Sequence, residues 1–500
     1  MKSQKNTCKK QILKPSIQSL LLYKGIWLIL LCALVISTGC APQQGARYSP
    51  TSGQPGNQQE PKKTLWKIVL NSNQLGPLET HIQITHQGNT IYAHSESGII
   101  EWMSSWSSAA DRTPESIFSF QATRDPSNAA RYVGALKEPW EEDGVVLEFQ
   151  GDSFSGTVNH WLLGGDIHGQ EVPQSKGRIR DYQPILAAFD RVVDERIFDP
   201  KTLKDEAFAN FRQRLDTITN LAQNDFDMTL GFHFAWNNEP FSHFQIRRSV
   251  ATSQEMFESF DQMLMGYEAA HVRFEDDLAI LRVDTMMGLD TIKQIQAAYG
   301  KIQDQGSKRL IIDLRGNGGG AFAVKPLVEH IIDEPIESGY FLSRPWFTNH
   351  TDLPSATTLE QTAAWEGWSI GRFWQDFQRQ GVMKLRFEPA EPHFNGPVFV
   401  LVDSYSASAT ELAADAFRIS GKATIVGERT AGEMLSQSFF DLVDGYILSL
   451  PVADYYSMEH GRIEGTGVPV DIQCASEKAL DHAKRLSRSF QNESQVLQTE

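Results

Sequence analysis

The sequence predicts an α/β protein in which an antiparallel β-domain is followed by a short helical segment and then by a core of buried strands linked by helices. Three observations carry that class. Between Leu65 and Val172 apolar and polar residues alternate with period two, as in Thr80–His86 (THIQITH), Val145–Gly151 (VVLEFQG) and Gly156–Leu163 (GTVNHWLL), with Gly, Asn, Asp and Ser between the runs. From Asp181 to Gln223 the period becomes helical, through Ile185, Phe189, Val192 and Val193, then Phe208, Phe211, Leu215 and Ile218. Beyond Ile246, β-branched runs such as Leu278–Asp284 and Arg309–Gly316 flank the amphipathic stretch Leu289–Gln303, which is the pattern of a β-helix-β unit.

Taken in order, the first element is not part of the globule. Six lysines precede the apolar run Gly25–Ile36, and Ser37-Thr38-Gly39-Cys40 follows it, the layout of an export signal over residues 1–39. The run is shorter than the ~20 apolar residues that a stable membrane span needs. Small residues ending at a cysteine resemble the bacterial lipobox, which implies lipid attachment at Cys40, a membrane anchor and a place in the cell envelope, facing the periplasm or the exterior. Residues 40–63, rich in Gln, Pro, Gly and Ser, read as a flexible tether. Residues 64–178 form the β-domain, 179–250 the helical segment, 251–480 the α/β core, and 481–500 a polar tail expected to fray. Within the core, Phe341–Glu391 carries four tryptophans and a helix expected around Leu359–Gln380, a possible lid over the sheet.

At 500 residues the chain exceeds one ordinary core. Its formal charge is −16, deepening to about −22 once the leader's lysines are gone, which argues against binding a phosphate backbone; no nucleic-acid partner is expected. Of four cysteines only Cys474 remains after Cys8 and Cys32 leave with the signal and Cys40 takes lipid, so neither disulfides nor a structural zinc is expected, and nothing calls for a metal or organic cofactor.

Chemistry gathers at two places. Arg315–Gly320 (RGNGGG) directly follows a buried strand, where glycines let backbone N–H groups converge on an anion or a developing oxyanion. No Lys-Ser/Thr follows the glycines, so a nucleotide phosphate loop is excluded. The second place is Val402–Phe417 (VDSYSASATELAADAF), where a strand runs into a helix beginning near Ser408. Ser408 and Glu411 fit a capping box, which alone would explain the serine. A serine at a helix mouth also projects its oxygen beside free N–H groups, an arrangement suited to nucleophilic attack.

Four motifs occur in order: Arg309–Gly320 (RLIIDLRGNGGG), Val402–Glu411 (VDSYSASATE), Val426–Gly432 (VGERTAG) and Ile463–Ile472 (IEGTGVPVDI). Together they resemble the tail-specific, or C-terminal-processing, serine peptidase family, whose wider membership includes tricorn protease and the interphotoreceptor retinoid-binding repeats. The resemblance covers roughly residues 181–480 and implies a ClpP/crotonase-like ββα catalytic core acting on a peptide or unfolded-protein substrate. It implies Ser408, not Ser406 or Thr410, as nucleophile. Common members place a general-base lysine where this chain has Glu433, so a serine–lysine dyad is excluded. Tricorn-like members use an upstream Ser-His pair and a glutamate near a C-terminal Gly-Val turn, which here correspond to Ser242, His243 and Glu464. His243 would take the Ser408 proton, Glu464 would stabilise the imidazolium and Ser242 would hold one of them in place, with Ala409, Gly319 and Gly320 forming the oxyanion hole. His233 is a rival base; His271, His330 and His460 lack motif support. About 34 residues separate His243 from Leu278, too few for the PDZ module common in the family. Two other readings stay open at this point: a non-catalytic ligand- or peptide-binding lipoprotein on the same fold, and an esterase or amidase.

Overall fold

A computed structural model describes residues 61–106, 116–137, 144–173, 177–236, 240–367 and 369–497. The export signal, Cys40 and residues 41–60 of the tether lie outside the described residues, as does Trp368, whereas Lys62 and Lys63, assigned to the tether, open the first strand. The antiparallel β-domain is a closed barrel of eight strands in simple meander order. Its strands are β1 (Lys62–Ser72), β2 (Gly76–Gln87), β3 (Thr90–Ser95), β4 (Ser119–Asp125), β5 (Asn128–Leu136), β6 (Gly144–Gln150), β7 (Ser153–Val158) and β8 (Gly165–Val172). β8 closes the ring on β1, pairing Leu65 with Val172 and Ser72 with Gly165. The period-two alternation sends Trp66, Ile68, Leu70, Ile82, Ile84, Phe120, Leu147 and Phe154 inward. Trp66 packs against Phe149 and Phe154 at centroid distances of 5.5 and 5.3 Å, so the lumen is filled by side chains.

Three helices follow, Gln183–Arg196, Glu206–Leu221 and Asp225–Trp236. Their apolar faces continue the barrel's core, which runs on without a break to Tyr446, Leu448 and Leu450. The strand β9 (Gln245–Arg248) then leads through the helix Ser253–Phe260 into two further sheets. The first consists of β10 (Ala270–Glu275), β11 (Leu278–Val283), β12 (Arg309–Asp313), and, later in the chain, β16, β17 and β21. The second is built on β13 (Ile336–Ser343), with β14 (Ala364–Trp365) and β15 (Val382–Phe387) on one side. β16 (Val398–Val402), the helix Ala409–Ser420 and β17 (Ala423–Gly427) form a strand–helix–strand passage back in the first sheet, with the two strands parallel. β18 (Ser436–Asp441), the long β19 (Tyr446–Ser457) and β20 (Gly461–Arg462) complete the second sheet, and β21 (Ile472–Gln473) edges the first. β11, β12, β16 and β17 are parallel and almost wholly buried, which is why they read as unbroken apolar runs.

Three further expectations change. The long helix expected around Leu359–Gln380 is instead two short ones, Ala356–Gln361 and Ile370–Phe377, separated by β14. Phe341–Glu391 is woven into the second sheet through β13 and β15, with Trp365 and Trp374 buried in the core, so it does not form a lid. Residues 481–497 do not fray but belong to the helix Ser476–Leu497, whose Ala479 and Ala483 pack on Leu278, Ile311, Phe399 and Leu401. A narrow apolar stripe with Leu480 and Leu486 at its flank is hidden there among charged residues.

Candidate active site

Ser408 stands between β16 and the helix Ala409–Ser420 with φ 54° and ψ −122°, a conformation that costs a non-glycine residue strain. The turn lifts its side chain out of the buried strand end, and the chain then enters the helix at once, the geometry of a nucleophile elbow. The strain is held by the surroundings. The Ser408 N–H donates to Glu433 O at 3.0 Å and to Glu411 Oε2 at 3.1 Å. Glu411 is fully buried and also accepts from Thr430 Oγ1, Gly432 N and Glu433 N, at 2.7, 2.8 and 2.8 Å. Burial pushes its pKa up to about 7, while the four donors pull the other way.

His243 sits just before β9, also in the left-handed region at φ 55°. Its Nε2 lies 3.3 Å from Ser408 Oγ, and its Nδ1 lies 2.8 Å from Ser242 Oγ. Ser242 Oγ donates to Glu464 Oε2 at 3.0 Å, while its N–H donates to Glu464 Oε1 at 3.0 Å. Met434 N closes the carboxylate's shell at 2.7 Å. The four side chains therefore form one line, Ser408–His243–Ser242–Glu464. With Nδ1–H directed at Ser242, Nε2 is left as the acceptor for the Ser408 hydroxyl. Desolvation lowers the His243 pKa to about 4, so the imidazole is neutral at pH 7 and able to accept a proton. Burial raises the pKa of Glu464 above the usual carboxylate range, opposed by its hydrogen bonds from Ser242 and Met434.

The glycine run reaches the same point. Gly319 and Gly320 have φ 90° and 140°. A side chain on Gly319 would sit 2.8 Å from both Ser408 Cβ and Ala409 N, so only glycine allows this approach. The Gly319 N–H is committed to Asn317 Oδ1 at 2.9 Å. Among the described residues, the N–H groups of Gly320 and Ala409 have no protein acceptor, which leaves these two free to bind an oxyanion. Asn317 is fully buried, donates to Val283 O and accepts Ala407 N–H, and so fastens the glycine loop to the nucleophile turn. The sequence reading missed it; an Asn within a Gly-rich turn was the available signal.

The competing residues lie elsewhere. Ser406 is fully buried and bonded to Leu314 O and Asp403 N, a structural role. His233 packs on Trp236 in its own helix, and burial lowers its pKa to about 4. Among the described residues no cluster of His, Cys, Asp and Glu could hold a metal ion.

Residues 277–474 match the family model for peptidase family S41. That stretch holds Ser408, Gly319, Gly320 and Glu464, while Ser242 and His243 precede it. The chain is 28% identical over 178 residues to the carboxyl-terminal-processing protease of Picosynechococcus, covering 36% of this chain and 34% of that protein. It is 41% identical over 183 residues to carboxyl-terminal-processing peptidase 3, chloroplastic, of Arabidopsis thaliana, covering 36% and 29%. The chain thus spans about a third of the length of these relatives. A solved photosystem II D1 C-terminal processing protease aligns with 16% identity over 59% of this chain and 94% of that one, at a TM-score of 0.37. Through residues 277–474, the chain is thus similar to peptidase family S41.

Proposed function

We propose that the protein is a serine peptidase that cleaves peptide or unfolded-protein segments through an acyl-enzyme, with histidine in place of the lysine base. The carrying observation is the unbroken hydrogen-bond line from Ser408 Oγ through His243 and Ser242 to Glu464. Ser408 Oγ attacks the scissile carbonyl as His243 Nε2 takes its proton. The charge that develops on the ring is met through Ser242 by the Glu464 carboxylate. The carbonyl oxygen turns into the space before Gly320 N–H and Ala409 N–H. The imidazolium then protonates the leaving amine, and a water molecule activated by the same ring releases the acyl group. The 3.3 Å separation of Nε2 and Oγ fits a resting site that tightens when substrate binds.

A fluorophosphonate probe tests the assignment. Labelling should be abolished in Ser408→Ala and retained in Ser406→Ala; label that survives the loss of Ser408 removes it as nucleophile. Peptide hydrolysis without matching ester specificity separates a peptidase from an esterase. We further propose that the protein is exported and anchored by lipid at Cys40, on the strength of the leader and the Ser37–Cys40 sequence. An inhibitor of lipoprotein signal peptidase should then leave a longer precursor in bacterial membranes, and unchanged processing would rule out that anchor.

A further inference from the structure

Behind Glu464 stands a second buried carboxylate that the proton relay does not use. The β19–β20 ladder pairs Tyr456 with Arg462 and Ser457 with Gly461. The chain then leaves the ladder, so that Glu464 opens a turn two residues past Arg462, while Asp454 lies two residues before Tyr456 in β19. Asp454 is 1% exposed and Glu464 7%, so both acids are nearly cut off from bulk water, and the charge of Asp454 acts on Glu464. Asp454 Oδ2 accepts from Arg462 Nε at 2.7 Å, whereas Asp454 Oδ1 has no hydrogen-bond partner among the described residues. Arg462 lies two residues before Glu464, and its charge acts on both carboxylates.

We propose that Arg462 is a positioning residue whose guanidinium supplies the counter-charge that keeps Glu464 ionised beside Asp454, and that this Asp454–Arg462 pair sets the acid limit of the reaction. The inference rests on the peptidase reading of the site. Two neighbouring carboxylates in one dry pocket cannot both stay charged without a cation, because each raises the other's proton affinity. Desolvation raises Glu464 most, and Asp454 adds to it. Asp454 is likewise raised by burial and by Asp199, while Arg462 lowers it; Tyr456 faces both Asp454 and Arg462. His243, reached through Ser242, is the remaining titratable group of the relay. If Glu464 takes up a proton, nothing balances the imidazolium, and the relay fails although every side chain is in place. Water bounds the effect, since the Arg462 side chain is 45% exposed.

The test is the pH dependence of Ser408 labelling by a fluorophosphonate in the full chain, for wild type, Arg462→Gln, Arg462→Lys and Asp454→Asn, each profile normalised to its own plateau so that loss of folded protein does not move the limb. Arg462→Gln should shift the acid limb to higher pH by roughly one unit. Arg462→Lys should largely restore it, and Asp454→Asn should shift it to lower pH. An acid limb that stays in place in Arg462→Gln, or that rises in Asp454→Asn, overturns the inference while the peptidase reading stands. Wild-type protein that takes no label at Ser408 at any pH overturns both.

Discussion

Ser408 and His243 both occupy backbone conformations that their side chains make costly, and the two strained residues meet at the same hydrogen bond. Removing the base should therefore expose how much of the rate depends on it: His243→Ala is expected to lower turnover roughly 10³–10⁶-fold, as loss of a triad base does. Lys422→Ala should leave turnover unchanged, because Lys422 is engaged with Asp333 outside the site. Gly319→Ala drives a methyl group into Ser408 Cβ and Ala409 N, so labelling should fall sharply while circular dichroism stays native. His233 offers a prediction of the opposite kind. Its folded pKa of about 4 lies below the ordinary imidazole value of 6.5, so the unfolded chain binds the extra proton between those values and stability falls as the pH drops through that window. His233→Phe should lose less stability than wild type between pH 6.5 and 4, by about 1–3 kcal/mol in urea titrations. Ser408, His243, Ser242 and Glu464, which the structure brings together, could be singled out from sequence because the resemblance carries each onto a short local motif. Asn317 and Glu411 act through partners brought from elsewhere in the chain; a Gly-rich turn and a capping box mark their places in the sequence but not their role as fasteners of the site.

The helices and strands that carry these residues were readable where one period dominates. Helix Leu289–Asp304 and strands β11, β12, β16 and β17 fall where their apolar spacing puts them. The helix Ser476–Leu497 was not readable, since its buried stripe is narrow and made largely of alanine, so the charged residues dominate the composition. That stripe is nevertheless essential to the first sheet, whose second face it covers. Ala483→Asp would place an unpaired carboxylate against Leu278 and Phe399 and should destabilise the protein by roughly 2–4 kcal/mol, measured by denaturant unfolding. The failed helix across Leu359–Gln380 has a comparable cause: the apolar residues there serve two short helices and a strand, and tertiary pairing of β14 with β15 overrides the helical spacing.

Across the whole molecule, one buried carboxylate binds the three regions together. Asp225, at the start of the helix Asp225–Trp236, accepts from Arg180, Tyr182, Arg248 and Tyr446 and from the backbone N–H of Glu79 in the barrel. Arg248 ends β9, the strand immediately after His243, and Gly76 in the β1–β2 turn lies so close to the Arg248 carbonyl that a side chain there could not fit. Asp225→Ala would leave the Arg180 and Arg248 guanidiniums only Glu79 as counter-charge in a nearly dry pocket and should cost roughly 3–5 kcal/mol. The same variant should melt the barrel and the core together, whereas separate transitions would show them to be independent. None of this was visible in sequence, because the partners are drawn from positions 79, 180, 225, 248 and 446. Barrel closure was equally hidden: alternation marks a strand's two faces but says nothing about whether the first strand finds the last. A ring that is sealed, with Trp66, Phe149 and Phe154 packed against one another inside it, has no loose selvage onto which a guest chain could be stitched. Any visitor to this domain must take hold of the outward-pointing side chains of its wall.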